Sequence, residues 1–353
     1  YDRAPRRIRR KNRMNHARNI GPQSGSDMQS SRAAHRTIDQ VDRSGRHAHS
    51  AINEYRRYMF AVAYRMLGSV ADAEEVVQES FVQFLKNDVG GTIDNIKSYL
   101  AAMVTRRSID LLRSRRRQRE EYVGTWLPEP VLTDTHTTLD PALRYEEQES
   151  VQMAFLFMLE RLSPLERAVF ILRDVFDYEY AEIGTIIERH PASCRKIIQR
   201  ARQALRGNRK YNVSHKQKEN LLNGFVAAVR GERLDQLIRI LAHDVRVYTD
   251  SGGKAVAARN TIIGNQNAAR LILGLKNKAP DTVGRILHVN GQPAMVLYRG
   301  ARIETIICFE MNDRGQIQNV YSMRNPDRMG NIPRKTPLWL RIQSWILRWK
   351  SRH

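Results

Sequence analysis

Two prolines, Pro128 and Pro130, divide the helical part of this 353-residue chain into two blocks. On either side of them apolar residues recur every three or four positions, which predicts amphipathic helices. The prolines stand in the segment Trp126-Leu127-Pro128-Glu129-Pro130, and each biases the residue before it towards extended backbone. The predicted segments are two all-helical domains, residues 51–119 and 141–210, and a linker over residues 120–140.

From about residue 214 the pattern changes. Two helical stretches, Lys216–Arg230 and Leu234–Leu241, precede short alternating runs that are typical of strands. These runs cover residues 245–248, 285–289, 294–298, 302–310 and 317–323, with turn signals at Asn290-Gly291 and Asp313-Arg314-Gly315. We therefore predict a separate α+β domain over residues 214–330, with a curved antiparallel sheet.

The charge distribution indicates an anionic partner. The chain has 59 Lys and Arg against 37 Asp and Glu, a formal net charge of +22, which suits nucleic acid or an anionic membrane. Inside the predicted domains the positive charge is concentrated in Arg106–Arg119, with seven Arg and one Asp, and in Arg189–Lys210, with eight basic residues and no acid. The rest of the body is mildly acidic, so two discrete contact surfaces are favoured over a uniformly basic one.

Both ends of the chain are basic. Residues 1–50 are poor in apolar residues, which predicts a disordered tail. Residues 331–353 predict a tryptophan-rich amphipathic helix over about 336–350, which makes a weak membrane contact or packs on a domain or partner. No run of apolar residues is long enough for a transmembrane helix.

A helix-turn-helix is predicted in the second block. A short helix, Tyr180–Glu188, a turn at Arg189-His190 and a longer basic helix, Pro191–Arg206, follow one another. The second helix carries an apolar stripe of Cys194, Ile197, Ile198, Ala201 and Leu205. Its other faces carry Ser193, Arg195, Lys196, Gln199, Arg200 and Arg202. Arg pairs with guanine and Gln with adenine in the major groove, so this helix is a candidate DNA reader; the alternative is a solvated basic surface helix.

Other chemistry has little support in the residues. Only two cysteines occur, Cys194 and Cys308, so the chain offers neither a disulfide scaffold nor a cysteine zinc site. We expect no metal and no cofactor. Asp250, His288 and Glu304 are the candidates for acid or base catalysis, but none stands in a motif that specifies a reaction.

Several segments in order resemble the extracytoplasmic-function (ECF) group of bacterial sigma-70 RNA polymerase sigma factors. In the first block these are Ala63-Tyr64-Arg65-Met66-Leu67-Gly68-Ser69 and the segment from Ala71 to Glu79; in the second they are the segments from Leu162 to Phe170 and from Tyr180 to Ile183. The linker motif, Asp250-Ser251-Gly252-Gly253-Lys254 and Asn325-Pro326-Asp327 resemble the members with a fused SnoaL-like domain of the NTF2 superfamily. Ser251 departs from the glycine usual at its position, which restricts the backbone if φ is positive there.

The resemblance implies a cytoplasmic, non-enzymatic factor that binds core RNA polymerase and promoter DNA. The implied contacts with the polymerase β′ clamp helices are made by Asp72, Glu75, Gln78 and Glu79, and the second block would meet the β flap. The loop at residues 87–95 and the helix from Lys97 would read the −10 element, with Arg106, Arg107, Arg113, Arg115, Arg116 and Arg117 as DNA-binding residues. The exposed residues of the helix-turn-helix would read the −35 element.

The resemblance also implies regulation in cis by the SnoaL-like domain, with no separate anti-sigma factor. The Trp126–Pro130 linker would pack against the Asp250–Lys254 turn, and so set the spacing of the two DNA-reading domains. Asn325, Pro326 and Asp327 are assigned to the same regulatory interface. The alternative is a DNA-tethered enzyme or small-molecule sensor that acts through the NTF2-like pocket. Promoter-specific initiation with core polymerase separates the two hypotheses.

Overall fold

A computed structural model describes residues 54–86, 93, 95–133, 152–206, 214–330 and 332. Outside the described residues lie the predicted N-terminal tail, the C-terminal tail apart from Ile332, most of the predicted −10 loop and the linker from residue 134. Among the described residues, every helix is too short or too polar to span a bilayer.

The first helical block contains α1 (54–67), α2 (Val70–Lys86), α3 (Ile96–Ser114) and α4 (Arg116–Glu120). Gly68, with a φ of 64°, takes the left-handed conformation that turns the chain between α1 and α2. The side chain of Asn95 caps α3 by accepting from the Ser98 amide. Apolar periodicity predicts one long helix from about residue 96 to 119, but the helix breaks at Arg115, where the backbone leaves the helical conformation at ψ 0°.

The second block contains α5 (Met153–Leu159), α6 (Pro164–Phe170), α7 (Tyr180–Ile187) and α8 (Pro191–Ala204). The sequence from Ser163 to Glu166 predicts a capping box, which is present at the start of α6. The sequence also predicts that this helix runs to about residue 173, but α6 gives way to a π-helical turn over Ile171–Val175. The helix therefore continues past Phe170 as a wider π-helical turn and does not stop at a cap.

A tight turn joins α7 to α8. Glu188 adopts a left-handed φ of 56° at the end of α7, and the Gly184 backbone lies so close to Arg189 that a Cβ there would stand 2.5 Å from the Arg189 carbonyl oxygen. Proline at the first position of α8 and the capping side chain of His190 start the next helix. The predicted helix-turn-helix therefore forms from its own local signals.

The C-terminal part is an α+β domain, as predicted. It contains α9 (His215–Arg230), α10 (Leu234–Ile240), β1 (Leu241–Asp250), β2 (Ile262–Ile263), α11 (Asn265–Lys278), β3 (Thr282–Val289), β4 (Gln292–Arg299), β5 (Arg302–Met311) and β6 (Ile317–Met323). The strand order is β2-β1-β6-β5-β4-β3. The sheet is antiparallel as predicted except at one pair, because β1 and β6 pair in parallel. These are the first and the last strand of the domain along the chain, and they lie side by side within the sheet. No local turn encodes such a pairing.

Each face of this sheet carries its own apolar core. One face packs against α9–α11, with Phe225 against Phe309 at a ring distance of 5.0 Å. The other face packs against the linker and α5, through residues such as Leu127, Met153 and Tyr298. Because side chains alternate along a strand, Cys308 and Phe309 belong to opposite cores.

A single apolar core runs through both helical blocks. The buried face of α3 is broad enough to contact α2 on one side and α6 and α7 on the other. Helix α5 joins this core through Leu156 and Leu159 and the sheet through Met153 and Phe157. The helical blocks and the sheet are therefore packed into one continuous body.

Candidate DNA, polymerase and regulatory interfaces

The basic face of α8 is open to solvent. Cys194, Ile198 and Ala201 are at most 1% exposed and anchor the helix, and burial raises the pKa of the Cys194 thiol. The opposite faces expose Arg195, Lys196, Gln199, Arg200 and Arg202, with Ser193 half-buried at the first turn. The helix therefore presents a hydrogen-bonding surface of the kind that enters a major groove.

Not all of these side chains are equally free. Two nitrogens of the Arg202 guanidinium donate to Asp174, at 2.6 and 3.1 Å. Arg200 is 4.0 Å from a Glu166 carboxylate oxygen, and Arg195 lies over the ring of Tyr180. These contacts orient the side chains, so α8 is partly ordered for its partner before it binds.

The predicted −10 residues on α3 and α4 all contact other side chains or backbone of the protein. Arg107 pairs with Glu79 (2.6 Å), Arg113 with Asp110 (3.4 Å), Arg115 with Asp72, Arg116 with Glu120 (2.9 Å) and Arg117 with Glu121 (3.1 Å), while the Lys97 ammonium lies 4.3 Å from the centre of the Tyr58 ring. Arg106 reaches across to α7. Most of these pairs are solvent-exposed and so are easily exchanged for phosphate.

The predicted polymerase-binding residues lie on the outer side of α2. Glu75, Gln78 and Glu79 are exposed at helical spacing, which places them on one face. The Asp72 side chain is only 16% exposed and is held by Arg115. This acidic face borders the α3 arginines directly, because Glu79 and Asp72 pair with Arg107 and Arg115.

The linker motif is clamped between the helical blocks and the C-terminal domain. Two guanidinium groups lie over the Trp126 ring, with the Arg328 carbon 3.6 Å and the Arg119 carbon 4.8 Å from the ring centre. Arg119 belongs to the helical part and also pairs with Glu160, whereas Arg328 follows the last strand. Trp126 therefore joins the two parts through cation–π contacts with an arginine from each.

Asp250 anchors the same motif from the C-terminal domain. It is fully buried, and its carboxylate accepts hydrogen bonds from the Leu127 amide (2.9 Å), the Tyr122 hydroxyl and Arg328 Nη1 (2.7 Å). Burial raises the pKa of this carboxyl, and the charge of Arg328 opposes that shift. A buried carboxylate is tolerated here because three donors surround it.

Glu129 extends the linker contact into the first helical block. Its carboxylate accepts from the Val70 amide at 2.7 Å and so caps α2, and its own amide donates to the Gly68 carbonyl at 2.7 Å. The Tyr64 hydroxyl donates to the Glu129 carbonyl and accepts from Asn290 Nδ2 of the β3–β4 turn. The linker, α1, α2 and the C-terminal domain thus share one hydrogen-bond network.

The two C-terminal motifs, Asp250–Lys254 and Asn325–Asp327, contact each other. Lys254 pairs with Asp327, and Asn325 caps the short helix at Pro326–Arg328 and donates to the Tyr122 hydroxyl at 2.9 Å. Gly252 and Gly253 have positive φ values of 54° and 73°, whereas Ser251 is not among the residues with positive φ. Serine in place of the usual glycine therefore does not strain this turn.

The sequence did not identify three residues of this network, namely Arg328, Arg119 and Tyr122. Nothing in the sequence distinguished Arg328 and Arg119 from the many other arginines of the chain. Tyr122 was assigned to the linker without a role. One signal was available: Arg328 follows directly after Asn325-Pro326-Asp327, and a buried Asp250 requires a cation.

Two of the three candidate catalytic groups, Asp250 and Glu304, are engaged in structural contacts. Asp250 is held by Arg328, and Glu304 pairs with Arg299 and Arg324, each at 3.0 Å. The face of the sheet around Tyr248 and Tyr321 is covered by Phe157 of α5, whose ring lies 4.8 and 5.4 Å from theirs. Within the described part of the chain, no three His, Cys, Asp or Glu side chains are grouped as a metal site.

Comparison with known proteins agrees with this arrangement. Residues 51–118 match the family model for Sigma-70 region 2, and residues 152–205 match that for Sigma-70, region 4. The chain is 32% identical over 302 residues to the ECF RNA polymerase sigma factor SigJ of Mycobacterium tuberculosis, covering 81% of this chain and 94% of that one. It is 28% identical over 283 residues to the probable ECF RNA polymerase sigma factor SigI of the same species, covering 79% and 94%.

The crystal structure of Mycobacterium tuberculosis SigJ superimposes with a TM-score of 0.66 at 29% identity and covers 81% of this chain and 99% of that one. That coverage includes the helical blocks and extends into the C-terminal domain. The chain therefore belongs to the ECF family of RNA polymerase sigma factors.

Proposed function

We propose that the C-terminal domain of this sigma factor controls promoter recognition in cis, by fixing the linker between region 2 (α1–α4) and region 4 (α5–α8). As a sigma factor the chain partners core RNA polymerase and promoter DNA and directs transcription initiation. The C-terminal domain would set the level of that initiation activity.

One observation supports the proposal above all. The linker contributes Trp126, whose ring contacts Arg119 of region 2 and Arg328 of the C-terminal domain, beside the buried Asp250. A linker held in this way cannot adopt different spans unless the contacts break. The fraction of molecules in which these linker contacts are broken would therefore be the fraction whose two regions can adjust their spacing to a promoter.

The detailed partner contacts are part of the proposal. The exposed acidic face at Glu75, Gln78 and Glu79, with Asp72 at its edge, would dock on the β′ clamp helices, and region 4 would dock on the β flap. The α3–α4 arginines and Lys97 would serve the −10 element, and the open face of α8 the −35 element. Because the regulator is part of the chain, no separate anti-sigma factor is required, and we infer a cytoplasmic location.

Reconstituted transcription tests the proposal. Trp126→Ala and Asp250→Asn are each expected to change promoter-specific initiation by core polymerase at unchanged protein concentration, because each loosens the linker clamp. Arg239→Ala serves as a control, since it removes only an exposed ion pair on α10. Circular dichroism would verify that the variants are folded. Initiation equal to that of the parent protein for both linker variants would exclude regulation through this clamp.

A further inference from the structure

We propose that the outer edge of β3 is a strand-binding site, and that its occupant is residues 134–139 of the linker, which follow directly on Thr133. The length of the paired stretch would set how much linker is free before region 4 begins. The inference deepens the proposed function, on which it rests for any effect on transcription. It adds a second contact between the linker and the C-terminal domain, separate from that of Trp126.

Strand β3 lies at the end of the sheet, with β4 as its one neighbour among the described strands. Alternate residues of an antiparallel strand direct their backbone N–H and C=O groups towards opposite edges. Val289 closes the turn to β4, so the outward residues of β3 are those that alternate with it, namely Thr282, Gly284, Ile286 and His288. Such an edge offers a row of hydrogen-bonding groups to a further strand, and Ile286 on it is 38% exposed.

The linker already pairs with one end of this edge. Leu132 forms an antiparallel bridge with Val289. The Thr133 amide donates to the His288 carbonyl at 2.9 Å, and beyond the bridge the Asn290 amide donates to the Val131 carbonyl at 2.8 Å. Three consecutive linker residues therefore have the direction and register of a strand beside β3.

The same register extends to the other end of β3. Each further linker residue falls opposite the preceding residue of β3, which gives the outward-facing pairs Thr135 with Ile286, Thr137 with Gly284, and Leu139 with Thr282. Residues 131–140 contain neither glycine nor proline and are rich in threonine, which favours strands. Pro141, which cannot donate to a strand ladder, comes just after the position that reaches the first residue of β3. The stretch that can pair therefore matches β3 in length.

Pairing would shorten the connection between the two DNA-reading regions. Residues 134–151 join Thr133 to the described start of region 4, and pairing over 134–139 leaves only residues 140–151 free. At about 3.4 Å per extended residue, the paired segment changes the reach of the linker by about 20 Å. The edge of β3 would therefore limit the reach of the linker together with the Trp126 contacts.

Amide hydrogen exchange of the free full-length protein, resolved by residue with NMR, tests the pairing. Because alternate amides of an added strand face β3, the amides of Thr135, Thr137 and Leu139 are expected to exchange about tenfold more slowly than those of Asp134 and His136, after correction for intrinsic rates. Equal rates throughout the segment would overturn the proposal.

A matched pair of proline variants tests whether this segment is the occupant of the edge. Thr135→Pro removes an amide that would face β3, whereas His136→Pro removes one on the outer side of the same strand. Exchange at Ile286 and Gly284 is expected to quicken by about tenfold in Thr135→Pro, as for the loss of about one hydrogen bond, and to stay near the parent rate in His136→Pro. Equal rates in the two variants would refute the pairing. Protection that rises with protein concentration would assign the edge to a second copy of the chain and refute it as well.

Reconstituted transcription separates this inference from the proposed function. Thr135→Pro is expected to change promoter-specific initiation by core polymerase, and His136→Pro is expected to leave it unchanged. Parent-like initiation by Thr135→Pro, while Trp126→Ala remains altered, would contradict a role of the β3 edge and leave the Trp126 clamp intact. Parent-like initiation by both would count against the proposed function itself.

Discussion

At the scale of single residues, the arrangement depends on buried charges that compensate each other. Asp250 is 0% exposed and Arg328 is 5% exposed, and Arg328 also lies 3.7 Å from Glu129. Removing one member of such a set leaves the other charged and without a partner, which costs more than the pair contributes. The network thus makes the linker contact specific even though it adds little net stability.

Replacing Arg328 by Met tests this account. We expect the free energy of unfolding to fall by about 3–5 kcal/mol, because Asp250 is left buried and uncompensated. The double variant Asp250→Asn with Arg328→Met is expected to recover part of the loss, as measured by urea denaturation. Equal and additive losses from the two single substitutions would show that the residues act independently.

At the scale of single elements, a contact distant in sequence decides how one helix starts. The first amide of α2 at Val70 is capped by Glu129, 59 residues away, while Ser69 Oγ accepts from the Asp72 amide at 3.4 Å. The proposed polymerase-binding face begins on this first turn. The linker therefore supports the helix that would dock on polymerase.

Glu129→Ala is expected to lower the free energy of unfolding by about 1–2 kcal/mol, since it removes the cap and leaves an orphan amide. Glu120→Ala serves as the control, because its i, i+4 pair with Arg116 is exposed and contributes well under 1 kcal/mol. Urea denaturation of both variants gives the comparison. A loss for Glu129→Ala no larger than that of the control would contradict the capping role.

Local signals determined most element boundaries, and their exceptions have physical causes. Periodicity predicts a helix over about 70–86 and a strand over 317–323, and α2 and β6 have these bounds. Alternation marks β6, and Ser69 marks the start of α2 locally, beside the distant contact with Glu129. The break at Arg115 was not predicted, since arginine is a good helix former, and Arg115 instead pairs with Asp72. Helix α11 was also missed, because it starts after Gly264 without a side-chain cap.

At the scale of the whole molecule, the two basic segments differ in how far their charges are paired within the protein. The α3–α4 arginines are paired with carboxylates, most of them on the same helices or on α2. On α8, Lys196 and Gln199 project from an open surface. The free protein is therefore expected to meet DNA phosphates first through region 4.

Salt dependence of DNA binding tests this expectation. Lys196→Ala is expected to reduce the slope of log affinity against log salt by about 1, because one phosphate contact is lost. Arg230→Ala removes the same charge from an exposed position on α9 and should leave the slope unchanged. Fluorescence anisotropy with a labelled duplex at several salt concentrations measures both. A slope equal to that of the parent protein for Lys196→Ala would place the contact elsewhere.

The sequence by itself determined the helix-turn-helix, the two basic segments and the α+β class. These follow from caps, turns, periodicity and residue order, all of which are local in the chain. The motifs at the linker were identified only through the resemblance to a known family. Only the tertiary structure decided that Arg328 compensates Asp250, that β1 pairs in parallel with β6 and that Arg106 donates to the last carbonyls of α7. These contacts join residues more than 70 positions apart, and one arginine among many carries no local mark of the acceptor that it meets after folding.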